Sequence, residues 1–180
     1  MGAALVSMVA GLTVGKKKYS DVEAEMQAIR VQAGALRTEM EQTVEDDAAA
    51  FEAVMGAFKL PKEGEEQQKA RTAAIQIATL NAAHIPLHTA ENAVKVMELA
   101  VRCAQAGNLN AISDAASGLA MARAALTSAA YNVRINLNSL PEPAAGDGYL
   151  RELEDLESRA ARFEQDLSGV MQERGGIKTR

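Results

Sequence analysis

Leu36, Met40, Thr43, Asp47, Phe51, Val54 and Phe58 follow one another at intervals of three and four residues, the spacing that gathers side chains on one face of a helix. Two polar residues, Thr43 and Asp47, interrupt this otherwise apolar seam. A carboxylate facing apolar neighbours loses hydration, which raises its pKa and suits it to taking and returning a proton near neutral pH. Asp47 is therefore the candidate acid and base. The same spacing also fits an Asp47 that is hydrogen-bonded or lies at the exposed edge of its helix, and the pattern alone leaves both readings open. Asp46, one position round, reads as a solvated charge.

Polar side chains gather at two further places. Gly107-Asn108-Leu109-Asn110-Ala111-Ile112-Ser113-Asp114 is a turn rich in acceptors that leads into an alanine-rich segment. Asn108, Ser113 and Asp114 fit helix capping, and equally a polar ligand site. Beyond them Ser128, Asn132 and Asn136 recur every four residues, a row that faces either water or a polar heterocycle. The cations cluster near helix breaks: Lys16, Lys17 and Lys18, then Lys59 and Lys62 around Pro61, then Arg71. They are either solvated or placed to bind a ligand that carries carboxylates. His84 and His88 have the spacing of a zinc pair, but Pro86 lies between them and no third ligand is evident, so no metal site is expected. No glycine-rich phosphate loop and no serine or cysteine nucleophile motif occurs.

These residues need a scaffold, and the composition says which kind. Of 180 residues 48% are hydrophobic and 24% charged, enough for a domain with a core. Tryptophan is absent and Phe and Tyr are few, so Leu, Met, Val, Ile and close-packed Ala must fill that core. The formal charge of −5 argues against partners such as nucleic acid or an anionic membrane. Met1 to Val14 is apolar, but the lysines follow it instead of preceding it, and it is too short to span a bilayer. A lone Cys103 cannot form an internal disulfide, which together with the missing signal order points to a cytoplasmic location.

Periodicity predicts an all-α bundle of about six helices. They cover Met1 to Val14, a long second helix from a Ser20/Glu23 capping box to Phe58, then 65–84, 86–106, 110–139 and 149–173. Pro86 is expected to open the fourth helix. Residues 1–140 form the main domain, 141–148 a Pro/Gly linker, and 149–180 an amphipathic helix with a frayed basic tail that packs on the same domain. Tyr131, Val133, Ile135 and Leu137 alternate with polar residues as a half-buried strand would, but a lone strand has no partner, so helix is preferred. The alanine-rich helices carry more apolar surface than they can hide from water alone, which predicts a homodimer.

Taken in order, Gly2-Ala3-Ala4-Leu5-Val6, Gly15-Lys16-Lys17-Lys18-Tyr19, Asp46-Asp47-Ala48-Ala49-Ala50-Phe51, Leu60-Pro61-Lys62, Arg71-Thr72-Ala73-Ala74, Pro86-Leu87, Gly107-Asn108, Ser113-Asp114 and Asn132-Val133-Arg134-Ile135-Asn136-Leu137 resemble one family. It is the cyclodeaminase family of folate enzymes, with its cyclohydrolase members, and the resemblance runs from Met1 to about Leu137. Relatives carry a glycine-rich segment just upstream of the first helix, and this chain begins after it. The resemblance implies an all-helical homodimer that opens or closes the N5,N10 one-carbon bridge of a tetrahydrofolate without metal or redox cofactor. The substrate is then a 5-formimidoyl or 5,10-methenyl folate, possibly polyglutamylated, and a formimidoyltransferase is a possible partner. It also places the family's acid/base aspartate on Asp47, and it leaves Lys16, Lys17, Lys18, Lys59, Lys62, Arg71, Asn108, Ser113, Asp114, Asn132 and Asn136 as the candidate substrate-binding set. The alternative is a non-catalytic helical protein that keeps the scaffold and binds folate or another protein.

Overall fold

Helix boundaries follow from where glycine frees the backbone and where proline is accommodated. The computed structural model describes residues 1–178. It contains five α-helices: α1 (Gly2–Gly11), α2 (Glu23–Phe58), α3 (Glu65–Ala106), α4 (Ile112–Leu137) and α5 (Asp147–Glu173). Short 3-10 turns at Lys17–Val22, Leu109–Ala111 and Pro143–Gly146 connect them, and no strand occurs among the described residues. Gly15 and Gly64 turn the chain at φ of 73° and 84°, values that a side chain would strain.

The count is five and not six because Pro86 lies inside α3 and does not open a new helix. A proline lacks the N–H that would bond the carbonyl four residues earlier, here that of Ala82. The side-chain amide of Asn136 on α4 donates to that carbonyl at 2.9 Å, so the orphaned acceptor is satisfied and the helix continues. The expected capping box is also absent: Ser20 hydrogen-bonds Asp21, and α2 starts at Glu23 after a 3-10 turn.

α3 touches each of the other four helices and forms the centre of the bundle. Its Val94, Val96, Met97, Ala100 and Cys103 are buried. Small residues set the close approaches. A Cβ on Gly2 of α1 would stand 2.7 Å from the Gly118 carbonyl of α4, so the two helices cross at a distance only glycine permits. The alternating stretch 131–137 is helical. Val133 and Leu137 face the core, while Tyr131 and Ile135 form a second, exposed apolar face that mimics a period of two. α5 buries Leu153, Leu156, Ala160, Leu167 and Met171 against α3 and α4. The tail after it is anchored where it was expected to fray: the Arg174 guanidinium donates to the Ala104 carbonyl in the last turn of α3 (2.6 Å) and to the carbonyl of Gly107 just beyond it. Residues 179 and 180, the end of that tail, lie outside the described residues.

Candidate active site

α2, α3 and α4 enclose a cleft of about 350 Å³. α2 contributes Thr43, Val44 and Asp47, α3 contributes Ile85, Pro86 and Thr89, and α4 contributes Ala125, Ser128, Ala129 and Asn132. The three- and four-residue spacings of 43, 44 and 47, of 85 and 89, and of 125, 128 and 132 put each set on one face of its helix, and these faces meet at one cavity.

Asp47 is the only carboxylate on this wall, and no cationic side chain lines the cleft. The hydroxyls and the amide around it are turned in one direction chemically. Thr43 donates to the Met40 carbonyl at 2.9 Å, Thr89 to the Ile85 carbonyl at 3.2 Å, and the Asn132 amide to the Ser128 carbonyl at 3.0 Å. The two threonine hydroxyls and one Asn132 N–H are thus bound back to their own helices, which leaves their oxygen lone pairs for a ligand. The cleft sets one carboxylate beside hydroxyl and amide oxygens, suited to a ligand that carries N–H groups or positive charge.

Of the two settings that the spacing left open, Asp47 takes the exposed edge of the helix in a single chain. Its side chain is exposed, and the stripe residues beyond it, Phe51 and Phe58, are exposed as well. The stripe is apolar, but only its first half, from Leu36 to Thr43, packs against this chain's own core. Asp46 accepts from Gln42 at 3.4 Å on the outer face and stays clear of the cleft.

The other candidates divide by position. Asn132 joins Asp47, but Asn136 is engaged with Ala82. Asn108 is engaged at the far end of α4: its side chain accepts from the Asn110 N–H and donates to the Leu12 carbonyl, while its own N–H reaches Thr13. Ser113 and Asp114 open α4 and lie roughly 20 Å along it from Ser128, at 1.5 Å per residue. Lys16, Lys17 and Lys18 precede the start of α2, whereas Lys59 and Lys62 follow its end, so a 36-residue helix of roughly 54 Å parts the two groups within one chain. Arg71 packs on the Phe58 ring at 5.7 Å and donates through Nε and Nη2 to the Phe58 carbonyl, closing the C-terminus of α2.

A polar network beside the cleft escaped the sequence reading. His88 Nε2 meets Glu39 at 2.6 Å and Nδ1 meets Glu91 at 3.3 Å, while the fully buried Asn92 links His88 (3.2 Å) to Lys95 (3.0 Å). Hydrogen bonding from Asn92, helped by His88 and Lys95, holds the Glu39 carboxyl below its ordinary value against the opposing effect of burial. Glu152 of α5 shares a hydrogen bond with Glu91, which together with burial pushes its carboxyl up. The i, i+3 and i, i+4 spacings of His88, Glu91 and Asn92 were the available signal. His84 stacks on His88 at 6.4 Å, and among the described residues no group of three His, Cys, Asp or Glu side chains is placed to hold a metal. Cys103 is buried, which pushes its thiol up to about 12 and leaves it unreactive.

The chain is thus an all-α bundle with one carboxylate in a polar cleft between three helices. The sequence pattern of the formiminotransferase-cyclodeaminase family matches residues 1–155, and the chain belongs to that family. It is 44% identical over 167 residues to a methenyltetrahydrofolate cyclohydrolase of Methylorubrum extorquens, covering 93% of this chain and 80% of that one. It is 32% identical over 142 residues to the formimidoyltransferase-cyclodeaminase of Rattus norvegicus, where it spans only 26% of the relative's length. The crystal structure of formiminotetrahydrofolate cyclodeaminase from Thermotoga maritima superposes with a TM-score of 0.85 at 28% identity, covering 96% of this chain and 82% of that one.

Proposed function

We propose that the cleft binds a tetrahydrofolate and that Asp47 exchanges protons at its N5,N10 one-carbon bridge, with methenyltetrahydrofolate cyclohydrolysis as the first reaction to assay. The observation that carries this reading is the single carboxylate of Asp47 lining one cleft with the polar side chains Thr89 of α3 and Ser128 and Asn132 of α4. A methenyl bridge is a cation, and a pterin carries several N–H groups, so both match the charge and the hydrogen-bonding sense of the cavity. Asp47 takes a proton from water as its oxygen adds to the methenyl carbon. It returns that proton to N5 as the N5–carbon bond breaks, and loss of the hydroxyl proton leaves the formyl group on N10. No oxidation state changes, so the reaction calls for no redox cofactor.

The cyclodeaminase reading is supported by the similarity of the whole fold to the Thermotoga maritima protein. There N10 attacks the formimidoyl carbon, Asp47 accepts the N10 proton and then protonates the departing ammonia. Two assays separate the reactions: loss of the methenyl chromophore with 5,10-methenyltetrahydrofolate, and ammonia release with the 5-formimidoyl compound. A thermal shift with either folate tests binding alone, since a ligand that binds only the native state must stabilise it. Binding without turnover of either substrate would favour a non-catalytic scaffold.

Of the basic groups, Lys59 and Lys62 are the nearer to Asp47, the first about 18 Å along α2. We propose that a glutamate tail runs in their direction. A second copy of the chain is the partner proposed for the exposed apolar faces that flank the cleft, and a cytoplasmic setting suits the lone buried Cys103. No helix among the described residues is long and apolar enough to cross a membrane.

A further inference from the structure

Asn136 lies one helical turn beyond the cleft residue Asn132 on α4, and Ala82 lies one turn before Pro86 on α3. The bond between Asn136 and Ala82, at 2.9 Å, therefore ties the two cleft-bearing helices together immediately below the cavity. It does so at the one point where α3 has lost a backbone hydrogen bond and where the proline ring presses on the Ala82 carbonyl. Ala82 and Pro86 are both buried, so no solvent is at hand to replace the donor. Without Asn136, α3 is free to kink at Pro86, and Ile85 with it would move relative to Asp47 on the opposite wall.

We infer that Asn136 is a positioning residue for the reaction, bracing the proline-containing wall of the cleft through Ala82 and making no contact with the ligand. The inference rests on the folate reading only for its kinetic readout. Pro86→Ala restores an N–H four residues after Ala82 and supplies the missing donor from within α3. This gives a double-mutant test.

Asn136→Leu is expected to lower kcat/KM for 5,10-methenyltetrahydrofolate on the order of tenfold to a hundredfold in the natural background, since small misplacements at a reacting centre carry costs of that size. Comparing Pro86→Ala with Pro86→Ala/Asn136→Leu, the loss should shrink to about twofold or less, a coupling characteristic of groups that share one interaction. Melting temperature and amide exchange over residues 82–89 should show the same coupling. An equal loss of kcat/KM in both backgrounds would place Asn136 against the ligand itself and overturn the inference. So would a fall in melting temperature with kcat/KM unchanged, which would make the bond purely structural. Should Asn136→Leu not fold, Asn136→Asp takes its place, because an ionised carboxylate keeps the size but has no N–H to donate. If the natural chain neither binds nor converts either folate, the folate reading fails, and exchange over residues 82–89 in the same variants still decides whether the brace holds α3 straight.

Discussion

Asp47 differs from its neighbour Asp46 only in helical phase, and that difference is open to a direct test. Replacing Asp47 by Asn keeps size and hydrogen bonding but removes the exchangeable proton, so turnover should fall on the order of 10²- to 10⁴-fold with little change in folate affinity. Asp46→Asn should cost far less, because Asp46 bonds Gln42 outside the cleft. Equal losses in the two variants would mean that the cleft does not hold the chemistry, and full turnover in Asp47→Asn would remove the mechanism. Melting temperature followed in parallel separates the two roles of Asp47, because a group that is only structural would lose stability more than turnover. Spacing alone picked out Asp47, and periodicity also placed Asn132. The environment of Asp47 was not legible, because an apolar stripe looks the same in sequence whether its own chain or another molecule covers it. Thr89 had no distinguishing pattern at all, and its place in the cleft became visible only when α3 was laid against α2 and α4.

At the scale of elements, helix content was readable and helix continuity was not. Pro86 breaks a helix when only the backbone is considered, and the compensating donor comes from Asn136, 50 positions later, which no local rule can anticipate. Close helix approach was foreseeable from the alanine content, and it has a sharp consequence at the crossing of α1 and α4. Gly2→Ala sets a methyl 2.7 Å from the Gly118 carbonyl, so α1 must shift, at about 1–3 kcal/mol, read as a drop of several degrees in melting temperature. An unchanged melting temperature would show that α1 is not held where this packing puts it. The α3–α5 seam should respond to pH in a defined sense. The Glu152 carboxyl is raised by its bond to Glu91, so the folded chain holds that proton more tightly than the unfolded one. Its stabilising contribution is present below the ordinary carboxylate range and is lost as pH rises through the raised value. Glu157 runs the other way: hydrogen bonding to Arg134 at 2.8 and 3.0 Å holds its carboxyl down, so that contribution is lost only as pH falls through the lowered value. Glu152→Gln keeps a donor to Glu91 at every pH. It should raise the melting temperature by about 1–2 °C at neutral pH, a gain kept small by the exposure of Glu152, and by nothing at pH 4. A gain independent of pH would trace to something other than this carboxyl pair.

For the molecule as a whole, the unexplained quantity is apolar surface. Val44, Phe51, Tyr131 and Ile135 are 71%, 63%, 68% and 65% exposed, and all four belong to helices that also line the cleft. Isolated exposed apolar residues need no explanation, but large ones at helical spacing on two neighbouring elements mark a surface that another molecule covers. On α2, Val44 and Phe51 sit three before and four after Asp47, so whatever covers them also withdraws Asp47 from water, one of the two settings its spacing left open. A second copy of the chain would satisfy this with no further component. The expected outcome is a dimer by light scattering at micromolar protein, converted to monomer by Tyr131→Glu combined with Ile135→Glu, because a buried interface does not tolerate unpaired charge. Those two residues lie outside the cleft lining, so a monomeric variant that keeps its melting profile and folate binding but loses turnover would tie the desolvation of Asp47 to assembly. A natural chain that is monomeric at these concentrations would refute the dimer, and a monomeric variant with full turnover would show that one chain carries a complete site.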